Sequence, residues 1–237
     1  MEDSAAGLNA PLSARDIGIR TYVVRSGRMT VMQKLALARL YPRYGIDYNP
    51  GVQLSSKGLF GRDGPFIVEI GFGMGMATAT IAEALPETLF LGMEVHAPGV
   101  GKLLSEIENR GIENLRVCRH DATEVVEAMM EPGTVDGFHI FFPDPWPKKR
   151  HHKRRIMNAD FIHLMAGRLK KGGYLYYVTD WEEYAGATLE ALQAEPLLEN
   201  VHELWGRRKP WRPITKFEQR ALLDGRPIRE LEFVRRQ

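Results

Sequence analysis

The sequence predicts an α/β domain whose core is a mostly parallel, seven-stranded sheet with helices on both faces and an antiparallel strand pair near the C-terminus. From residue 65 onward, short apolar runs alternate with longer runs of helical spacing, giving five β–α units in succession. Such alternation is typical of parallel sheets with crossover helices on both faces. The chain has 237 residues, 44% of them hydrophobic, which suffices for one sizeable core.

Five apolar runs predict the parallel strands, at 66–70, 88–95, 115–121, 135–142 and 172–180. Runs of helical spacing follow them, at 76–85, 98–110, 123–130, 158–171 and 181–195. Pro86 is expected to end the first helix, Gly111 to cap the end of the second, and Asn158 to cap the start of the fourth. The alternation then stops, and two strand-like runs at 202–209 and 229–237 supply the antiparallel pair.

The N-terminal region differs in composition from the rest of the chain. Residues 1–17 are small, polar and weakly patterned, which predicts a flexible tail. Residues 17–51 are basic and aromatic and include a helix-like run that is expected to end at Pro42. No repeat or low-complexity linker divides the remainder. Residues 18–237 are therefore predicted to form one domain with a basic N-terminal extension.

Composition and charge exclude several classes of protein but do not indicate a function. The net charge of +2 and the pI of about 8.6 are too mild to indicate nucleic-acid binding by themselves. Cys118 is the only cysteine, which excludes an internal disulfide and a thiolate zinc cluster. The N-terminus does not resemble a secretory signal, and no apolar run reaches the length of a membrane span. A cytoplasmic protein is expected.

A glycine loop follows the first predicted strand. Gly71, Gly73 and Gly75 form a G-x-G-x-G pattern, and Glu69 stands two residues before it. Glycines permit a tight turn and let a ligand approach the backbone. A dinucleotide-binding loop would read G-x-G-x-x-G and hold a pyrophosphate, which the Glu69 carboxylate would repel. A ligand with an ammonium and a sulfonium suits this loop better, so the pattern favours S-adenosylmethionine over a nicotinamide cofactor.

Acidic residues recur at the ends of the next strands. Glu94 closes the second strand and is placed to accept hydrogen bonds from both hydroxyls of a ribose. Asp121 closes the third strand, where its carboxylate or the Ala122 amide can meet an adenine edge, and Asp144 follows the fourth. The competing interpretation of Asp121 is a cap for the next helix. Because ligands bind beyond the carboxyl ends of such strands, these acids predict a nucleoside-cofactor site.

The most informative stretch is FFPDPWPKKRHHKRR, residues 141–155. Its three prolines restrict the backbone around Asp144 and hold that residue on a stiff loop. Residues 148–155 then carry six Lys or Arg and two His side chains. So much like charge indicates an anionic partner such as a phosphate backbone, the alternative being a solvated loop. A metal site at His151 and His152 is not predicted, because adjacent histidines diverge and no carboxylate is spaced to help.

Together these motifs resemble those of one known family. FPDPWPKKRHHKRR, EIGFGMG, EVHAPGVG, TDWEEYA and PITKFE are similar to motifs of the bacterial-type tRNA (guanine-N7-)-methyltransferases, over the chain from about Arg20 to the C-terminus. The resemblance implies a Rossmann-like class I methyltransferase fold, S-adenosyl-L-methionine as cofactor, and methylation of guanosine 46 in the tRNA variable loop. It is weaker after Glu218, where QRALLDGRPIREL departs from the family's usual glycine and Gly-His positions.

The resemblance also implies roles for individual residues. Asp144 would be the catalytic acidic residue, and it would contact the cofactor together with Glu69, Glu94 and Asp121. The substrate would be contacted by the basic run, by the end of the fifth strand and by the 215–218 run. These residues are Lys148, Arg150, His151, His152, Lys153, Arg154, Arg155, Asp180, Thr215, Lys216, Phe217 and Glu218.

The chemistry of guanine N7 fits these residues. N7 has an in-plane lone pair and no proton, so methyl transfer needs in-line alignment and no general base. A fixed carboxylate, here Asp144, stabilises the positive charge that develops on the ring. Asp180 is placed to accept from guanine N1–H and the N2 amino group, with Glu218 as a second candidate. Trp146 or Phe217 is a candidate to stack on an extruded base, the alternative being plain packing.

Three separate parts of the chain supply candidate phosphate contacts: Arg20, Arg25, Arg28, the 148–155 run, Arg207, Arg208, Lys209 and Arg212. If they share one face, they account for tRNA binding at a net charge of +2. The expected partner is tRNA, without a membrane or an obligatory protein partner, and the expected state is a monomer or loose homodimer.

Three other functions are left open by the residues. The first is a methyltransferase that acts on another RNA or on a small molecule. The second is a catalytically inactive RNA-binding module, which the four acids near the site argue against, because phosphate binding alone would select against them. The third is a nicotinamide oxidoreductase, which Glu69 and the glycine spacing disfavour.

Overall fold

The computed structural model describes residues 20–22 and 28–237. The tail predicted at 1–17 and the candidate phosphate contact Arg25 lie outside the described residues. The strands are β1 Gly45–Ile46, β2 Phe66–Ile70, β3 Leu89–Met93, β4 Leu115–Cys118, β5 Val135–Phe141, β6 Leu169–Thr179, β7 Leu198–Asn200 and β8 Arg229–Arg235. The helices are α1 Val31–Tyr44, α2 Ser56–Phe60, α3 Met76–Ala84, α4 Ala97–Arg110, α5 Ala122–Met129, α6 Ala159–Arg168, α7 Glu182–Ala194 and α8 Lys216–Leu223. A 3-10 helix, Lys149–Arg154, lies between β5 and α6.

The strands form a sheet in the order β1-β4-β3-β2-β5-β6-β8-β7. Neighbouring strands from β1 to β6 are parallel, whereas the β6–β8 and β8–β7 pairs are antiparallel. The predicted mostly parallel sheet with an antiparallel C-terminal pair is confirmed. Within the described residues the sheet has eight strands where seven are predicted, because the two-residue β1 pairs with β4 and is too short to show a period in the sequence.

Helices cover both faces of the sheet because the central strands are apolar on both sides. All five residues of β2 are buried, as are all five of β3. Phe66 and Val68 enter one hydrophobic cluster, with residues of α5, α6 and α7, whereas Ile67 enters another with residues of α1, α3 and α4. Near-continuous apolar runs of this kind are typical of parallel strands that are covered on both faces.

The antiparallel pair lies at a different place from the one predicted. β8 pairs with β7 at 198–200, and the predicted 202–209 run forms no strand. Lys209 and Arg208 of that run instead extend to Glu232 and Glu218 as ion pairs. Pro210, which follows the run, has no N–H to donate to a strand ladder.

Helix α1 continues through Pro42 to Tyr44, whereas the sequence predicts an end at Pro42. Pro42 lies in the last turn, where its ring removes one backbone donor. Tyr41 and Tyr44 on either side are buried, and the Gly45 N–H donates to the Tyr41 carbonyl and closes the turn. Packing of the two tyrosines therefore outweighs the effect of the proline.

The strand order reverses beside β2. β3, β4 and β1 lie on one side of β2, and β5 and β6 lie on the other. The carboxyl ends of these parallel strands share one edge of the sheet, and the loops after β2 and β5 diverge there. Open α/β sheets bind ligands in the crevice at such a switch point.

Candidate cofactor and substrate site

In the glycine loop after β2, the backbone at the first two glycines is accessible to a ligand. Gly71, Gly73 and Gly75 have positive φ angles of 75°, 59° and 74°, which only glycine adopts without strain. A Cβ on Gly71 or Gly73 would meet no described heavy atom within 4 Å, whereas one on Gly75 would lie 2.6 Å from the Leu103 Cβ. The loop therefore packs on α4 through Gly75 and leaves space for a ligand over Gly71 and Gly73.

Glu69 is buried next to this loop. The residue is 3% exposed, and its Oε1 accepts a 3.0 Å hydrogen bond from the Thr78 hydroxyl. Burial raises the pKa of Glu69 to about 7; the charge of Glu94 adds to the rise, and the Thr78 hydrogen bond opposes it. Among the described residues, Glu69 forms no ion pair. A cation that binds beside it would therefore stabilise its ionised form.

Glu94 follows β3 and is tied to the glycine loop. Its Oε2 accepts from the Gly73 N–H at 2.9 Å, and its Oε1 accepts from the Val95 and His96 N–H groups at 2.7 and 3.0 Å. Burial raises the pKa of Glu94, and the three backbone hydrogen bonds lower it in part. A carboxylate has about four acceptor positions, so Glu94 retains capacity for a ligand hydroxyl.

Asp121 is the N-cap of α5, as the competing interpretation of the sequence has it. Its Oδ1 accepts from the Thr123 N–H at 2.9 Å and from the Thr123 hydroxyl at 2.7 Å. Ala122 begins α5 and is buried. The recorded capping bonds use one carboxylate oxygen, so contact of Asp121 and Ala122 with an adenine stays a prediction.

Asp144 is exposed, on a loop that lies between two residues of left-handed backbone. Phe142 and Trp146 have φ angles of 50° and 46°, which non-glycine residues rarely adopt. The Phe142 N–H donates to the Val178 carbonyl at 2.7 Å, so the pairing of β5 with β6 reaches the start of the loop. Such backbone costs about 1–3 kcal/mol per residue and clusters at functional sites.

Arg155 supports this loop from inside the protein. It is 5% exposed, donates to the Pro145 carbonyl at 2.9 Å and forms a double hydrogen bond with the Glu183 carboxylate. Its guanidinium also lies 4.5 Å from the centre of the Tyr184 ring. The sequence assigns all of residues 150–155 to an RNA surface; the structure instead buries Arg155 with its charge already paired.

Arg154 and Trp146 connect the loop to the N-terminal segment. The Arg154 guanidinium lies 4.1 Å from the centre of the Trp146 indole and donates to the carbonyls of Arg20 and Tyr22 at 3.0 Å each. The indole N–H of Trp146 donates to the Thr21 carbonyl at 3.2 Å. One face of Trp146 is thereby covered, which leaves less of the ring for a base to stack on.

The other cations of the basic run are exposed: Lys148, Lys149, Arg150 and Lys153. His151 and His152 are partly buried. Desolvation and the positive charges of Arg150 and Arg154 lower the pKa of His151. An anion that binds this run would offset those charges. Of the candidates elsewhere, Arg20, Arg28, Arg207 and Arg208 are also exposed.

Asp180 follows β6, beside the Asp144 loop. Phe141 of β5 pairs with Val178 of β6, which places the two carboxyl ends next to each other. The Asp180 side chain is 21% exposed and forms an ion pair with Arg226. The structure therefore brings Asp180 to the same edge as Asp144, with a cation on its carboxylate.

The 215–218 run is the start of helix α8. The Thr215 hydroxyl accepts from the Glu218 N–H at 3.1 Å and caps the helix. Lys216 is exposed, and Phe217 is 68% exposed. Glu218 is 3% exposed, and its two carboxylate oxygens accept from Arg212 at 2.7 and 3.0 Å. Glu218 is thus occupied within the protein, while Lys216 and Phe217 face solvent.

Arg212 is the centre of a buried polar cluster. It is 1% exposed, and besides Glu218 it donates to Glu230 at 2.8 Å and to the Tyr176 hydroxyl at 3.2 Å. Burial lowers the pKa of Arg212, but the hydrogen bonds that it donates to Glu218 and the charges around it hold that pKa above its ordinary value. The sequence assigns Arg212 to phosphate binding; the structure buries it and pairs it with two carboxylates instead.

Comparison with known proteins establishes the family. A family model described as "Putative methyltransferase" matches residues 63–231. A tRNA (guanine-N(7)-)-methyltransferase of Acidovorax sp. (strain JS42) is 50% identical over 232 residues, which are 98% of this chain and 92% of that protein. The chain belongs to the tRNA (guanine-N(7)-)-methyltransferase family. Family members from Methylobacillus flagellatus and Neisseria meningitidis serogroup A are 49% and 50% identical over 92% of the chain, and over 92% and 91% of their own lengths.

Solved structures support the fold of this methyltransferase family member. TrmN from Thermus thermophilus superimposes with a TM-score of 0.52 at 18% identity, over 76% of this chain and 46% of that one. The aminoglycoside resistance methyltransferase NpmB1 superimposes with a TM-score of 0.50 at 15% identity, over 72% and 87%. The predicted Rossmann-like class I methyltransferase fold is confirmed.

Several functional residues of this methyltransferase are not apparent in its sequence. A Cβ on Gly99, in the first turn of α4, would overlap the Gly73 carbonyl oxygen, so Gly99 lets the helix approach the loop. A glycine inside the predicted helix 98–110 is a signal of close packing. Thr78, which donates to Glu69, and Glu230, which accepts from Arg212, carry no comparable signal, because only the fold brings the partners together.

Neither a metal-binding cluster nor a membrane-spanning helix is present in the described ranges, 20–22 and 28–237. There, no group of three or more His, Cys, Asp or Glu side chains is arranged to hold a metal ion. No helix in those ranges is long and apolar enough to cross a membrane. Cys118 is buried, and burial raises the pKa of its thiol to about 12, so it offers no thiolate near neutral pH.

Proposed function

We propose that this protein transfers a methyl group from S-adenosyl-L-methionine to N7 of guanosine 46 in tRNA. The observation that carries the proposal is the carboxyl edge of the sheet. It joins an open glycine loop between two acids, an exposed acid on a strained loop, and a run of exposed cations. The first part suits a cationic nucleoside, the second a reacting base and the third a phosphate backbone.

The residues of the glycine loop fit the proposed cofactor. The bare backbone over Gly71 and Gly73 accommodates a ligand that a Cβ would exclude. Glu69, with no ion-pair partner among the described residues, suits an ammonium, and Glu94 has acceptor capacity for a ribose hydroxyl. The cofactor supplies an electrophilic methyl group on a sulfonium. Asp121 and Ala122 are proposed at its adenine end.

The protein's part in the reaction is alignment and electrostatics. N7 carries no proton, so the site needs no base there, and Asp144 is proposed to stabilise the positive charge that the purine ring acquires. The left-handed Phe142 and Trp146 residues and the buried Arg155 hold the Asp144 loop in one position. A preformed position costs no reorganisation at the moment of transfer.

Guanine recognition is proposed to rest on Asp180. One carboxylate can accept from both N1–H and the N2 amino group, and adenine has no N1–H donor. Glu218, the second candidate, is buried with both oxygens on Arg212, which favours Asp180. For stacking, Phe217 is favoured over Trp146, because Phe217 is 68% exposed whereas Arg154 covers a face of the indole.

The tRNA is proposed to lie on the exposed cations of the 148–155 run and on Arg20, Arg28, Arg207 and Arg208. Lys216 lies near this set in sequence and is also exposed. Residues 18–237 are proposed to act as one domain, in a cytoplasmic enzyme that needs no protein partner and exists as a monomer or loose homodimer.

The test is methyl transfer from radiolabelled S-adenosylmethionine to unmodified tRNA. Asp144→Asn is expected to lower kcat about 10²-fold, because it removes the fixed charge beside the reacting ring. Asp63→Asn, an exposed aspartate before β2 at the opposite edge of the sheet, is the matched control and should leave kcat unchanged. Label on guanine N7 of the unmodified tRNA, and no label on a tRNA that has adenosine at position 46, would identify guanosine 46 as the methylated nucleoside.

Two outcomes contradict parts of this proposal. No label in any tRNA with the wild-type protein would overturn the function itself. Equal kcat for Asp144→Asn and wild type would leave the function standing but remove the electrostatic role of Asp144. Thermal unfolding of both variants checks that each is folded, since exposed substitutions usually change stability by less than about 0.5 kcal/mol.

A further inference from the structure

The carboxylate proposed to read guanine is already engaged by a guanidinium. Asp180 lies after β6, next to the Asp144 loop, and Arg226 forms an ion pair with its Oδ2 through Nη1. The second terminal nitrogen of Arg226, Nη2, donates to Asp224 Oδ2 at 3.1 Å. The guanidinium thus bridges two carboxylates, one at the proposed base site and one beside it.

The backbone of helix α8 fixes Arg226 in this place. Gly225 has a positive φ of 69° and donates its N–H to the Leu222 carbonyl at 3.1 Å. The Arg226 N–H donates to the Ala221 carbonyl at 2.8 Å. These two bonds form the usual glycine-dependent end of a helix. Residues 225–226 lie in the segment after Glu218, where the resemblance to the family's motifs is weaker.

A guanidinium and the Watson–Crick edge of guanine offer a carboxylate the same donors. Each presents two adjacent N–H groups in one plane, which match the two oxygens of a carboxylate. Guanine does so through N1–H and the N2 amino group. In the structure Arg226 gives Asp180 one of these nitrogens, Nη1, and gives Asp224 the other, so it fills one of the acceptor positions that guanine is proposed to use.

We propose that Arg226 is a placeholder for guanine, an autoinhibitory contact that engages Asp180 until the target base displaces it. The inference rests on the proposed function, since it takes guanine as the ligand of Asp180. Without a partner, a partly buried carboxylate at this edge would lose hydrogen bonds and attract other cations. Arg226 satisfies it in the free enzyme.

The Arg226 side chain has a second partner, Asp224, when it is displaced from Asp180. Arg226 is 36% exposed and already contacts Asp224, whose side chain is 56% exposed. When guanine takes Asp180, Arg226 keeps its second carboxylate in solvent. Both side chains are partly exposed, so solvent weakens their ion pair. The need to open it is therefore expected to raise KM for tRNA by only about two- to fivefold, compared with a protein that lacks Arg226.

Arg226→Gln tests the placeholder. It is expected to lower KM for tRNA about two- to fivefold with kcat unchanged, although it removes a positive charge from an RNA-binding protein. Arg62→Gln is the matched control, since Arg62 is an exposed arginine that pairs with Glu87 before β3, at the opposite edge of the sheet. That control should leave KM unchanged. Thermal unfolding and S-adenosylmethionine binding of both variants should match the wild type.

A small guanidinium supplies a second readout. Methylguanidinium chloride at millimolar concentration is expected to inhibit Arg226→Gln competitively with tRNA, and to inhibit wild type less, because the wild-type site already holds a guanidinium. Methylammonium, which lacks the paired planar donors, should inhibit neither selectively.

The outcomes separate this inference from the proposed function. A wild-type protein that methylates no tRNA overturns the proposed function. Methylation with an unchanged KM in Arg226→Gln overturns the placeholder alone and makes the ion pair purely structural. A raised KM overturns it as well and makes Arg226 a direct tRNA contact.

Discussion

Arg212→Met is expected to lower the free energy of unfolding by about 3–5 kcal/mol, the usual cost of removing one partner from a buried ion pair. Arg212 is 1% exposed and donates to Glu218, Glu230 and Tyr176. Methionine fills similar space but donates nothing. Among the described residues, Glu230 would then stay buried without a cation, and Glu218 would keep only Arg208, at 4.0 Å. Each carboxylate would have to bind a proton or move toward solvent.

Urea unfolding at pH 7 measures this loss. Arg207→Met is the matched control, because Arg207 lies on the same segment and is exposed, and a change within about 0.5 kcal/mol is expected there. A variant that also carries Glu218→Gln and Glu230→Gln should regain part of the stability, since it no longer buries two carboxylates that have lost the Arg212 guanidinium. A loss below about 1 kcal/mol for Arg212→Met would show that water or another cation replaces the guanidinium.

The cluster around Arg212 also connects the sheet to the substrate side of the protein. Glu230 lies on β8 and Tyr176 on β6, whereas Glu218 lies in the first turn of α8. Arg212 therefore holds the helix that carries Lys216 and Phe217 against the sheet. Loss of Arg212 is expected to raise KM for tRNA even under conditions where the variant stays folded.

The parallel core of the fold is predictable because its signal is local. The runs at 66–70 and 135–142 are mostly apolar, and they become β2 and β5 with ends that agree within one residue. Strands that are buried on both faces need such apolar runs, so they can be recognised in the sequence. Chain order and parallel direction then place Glu69, Glu94 and Asp144 at one edge without any knowledge of side-chain contacts.

What the sequence cannot predict is which charges are paired. Arg150 and Arg155 are equivalent members of one basic run, yet the first is exposed and the second is buried against Glu183, 28 positions away. Arg212 and Glu218 read as a phosphate contact and a guanine contact, and the fold joins them to each other. The sequence gives the sign of each charged side chain, but tertiary packing determines which partner it pairs with.

Backbone conformation is a second limit. Pro42 predicts a helix end, and the burial of Tyr41 and Tyr44 carries the helix past it. The three prolines around Asp144 indicate a stiff loop. They do not predict the left-handed backbone conformation of Phe142 and Trp146, which sets the direction of that loop. Such strain is stable only because contacts from distant residues impose it.

Glu69→Gln is expected to stabilise the cofactor-free protein above pH 7 by about 3 kcal/mol while it weakens cofactor binding. Burial raises the pKa of Glu69 from 4.5 to about 7 in the folded protein. Between these values the folded state holds a proton that the unfolded state has released, so the contribution of Glu69 to stability falls as pH rises through this window and levels off above it. Glutamine resembles the protonated side chain at every pH and avoids that loss.

The difference in unfolding free energy between Glu69→Gln and wild type should therefore be small near pH 5, grow up to pH 7 and stay constant to pH 8. Glu106→Gln is a control of opposite sign, because hydrogen bonds from Lys102 and Arg110 lower the pKa of Glu106 and stabilise its charged form. It should destabilise the protein at neutral pH.

By titration calorimetry, Glu69→Gln should bind S-adenosylmethionine about 10- to 100-fold more weakly, through loss of a charged hydrogen bond. Wild type should release protons on binding at pH 7, because the ligand's ammonium favours the ionised carboxylate. A Glu69→Gln variant that is less stable than wild type at pH 8 would mean that the buried carboxylate already has a cationic or solvent partner before any cofactor arrives.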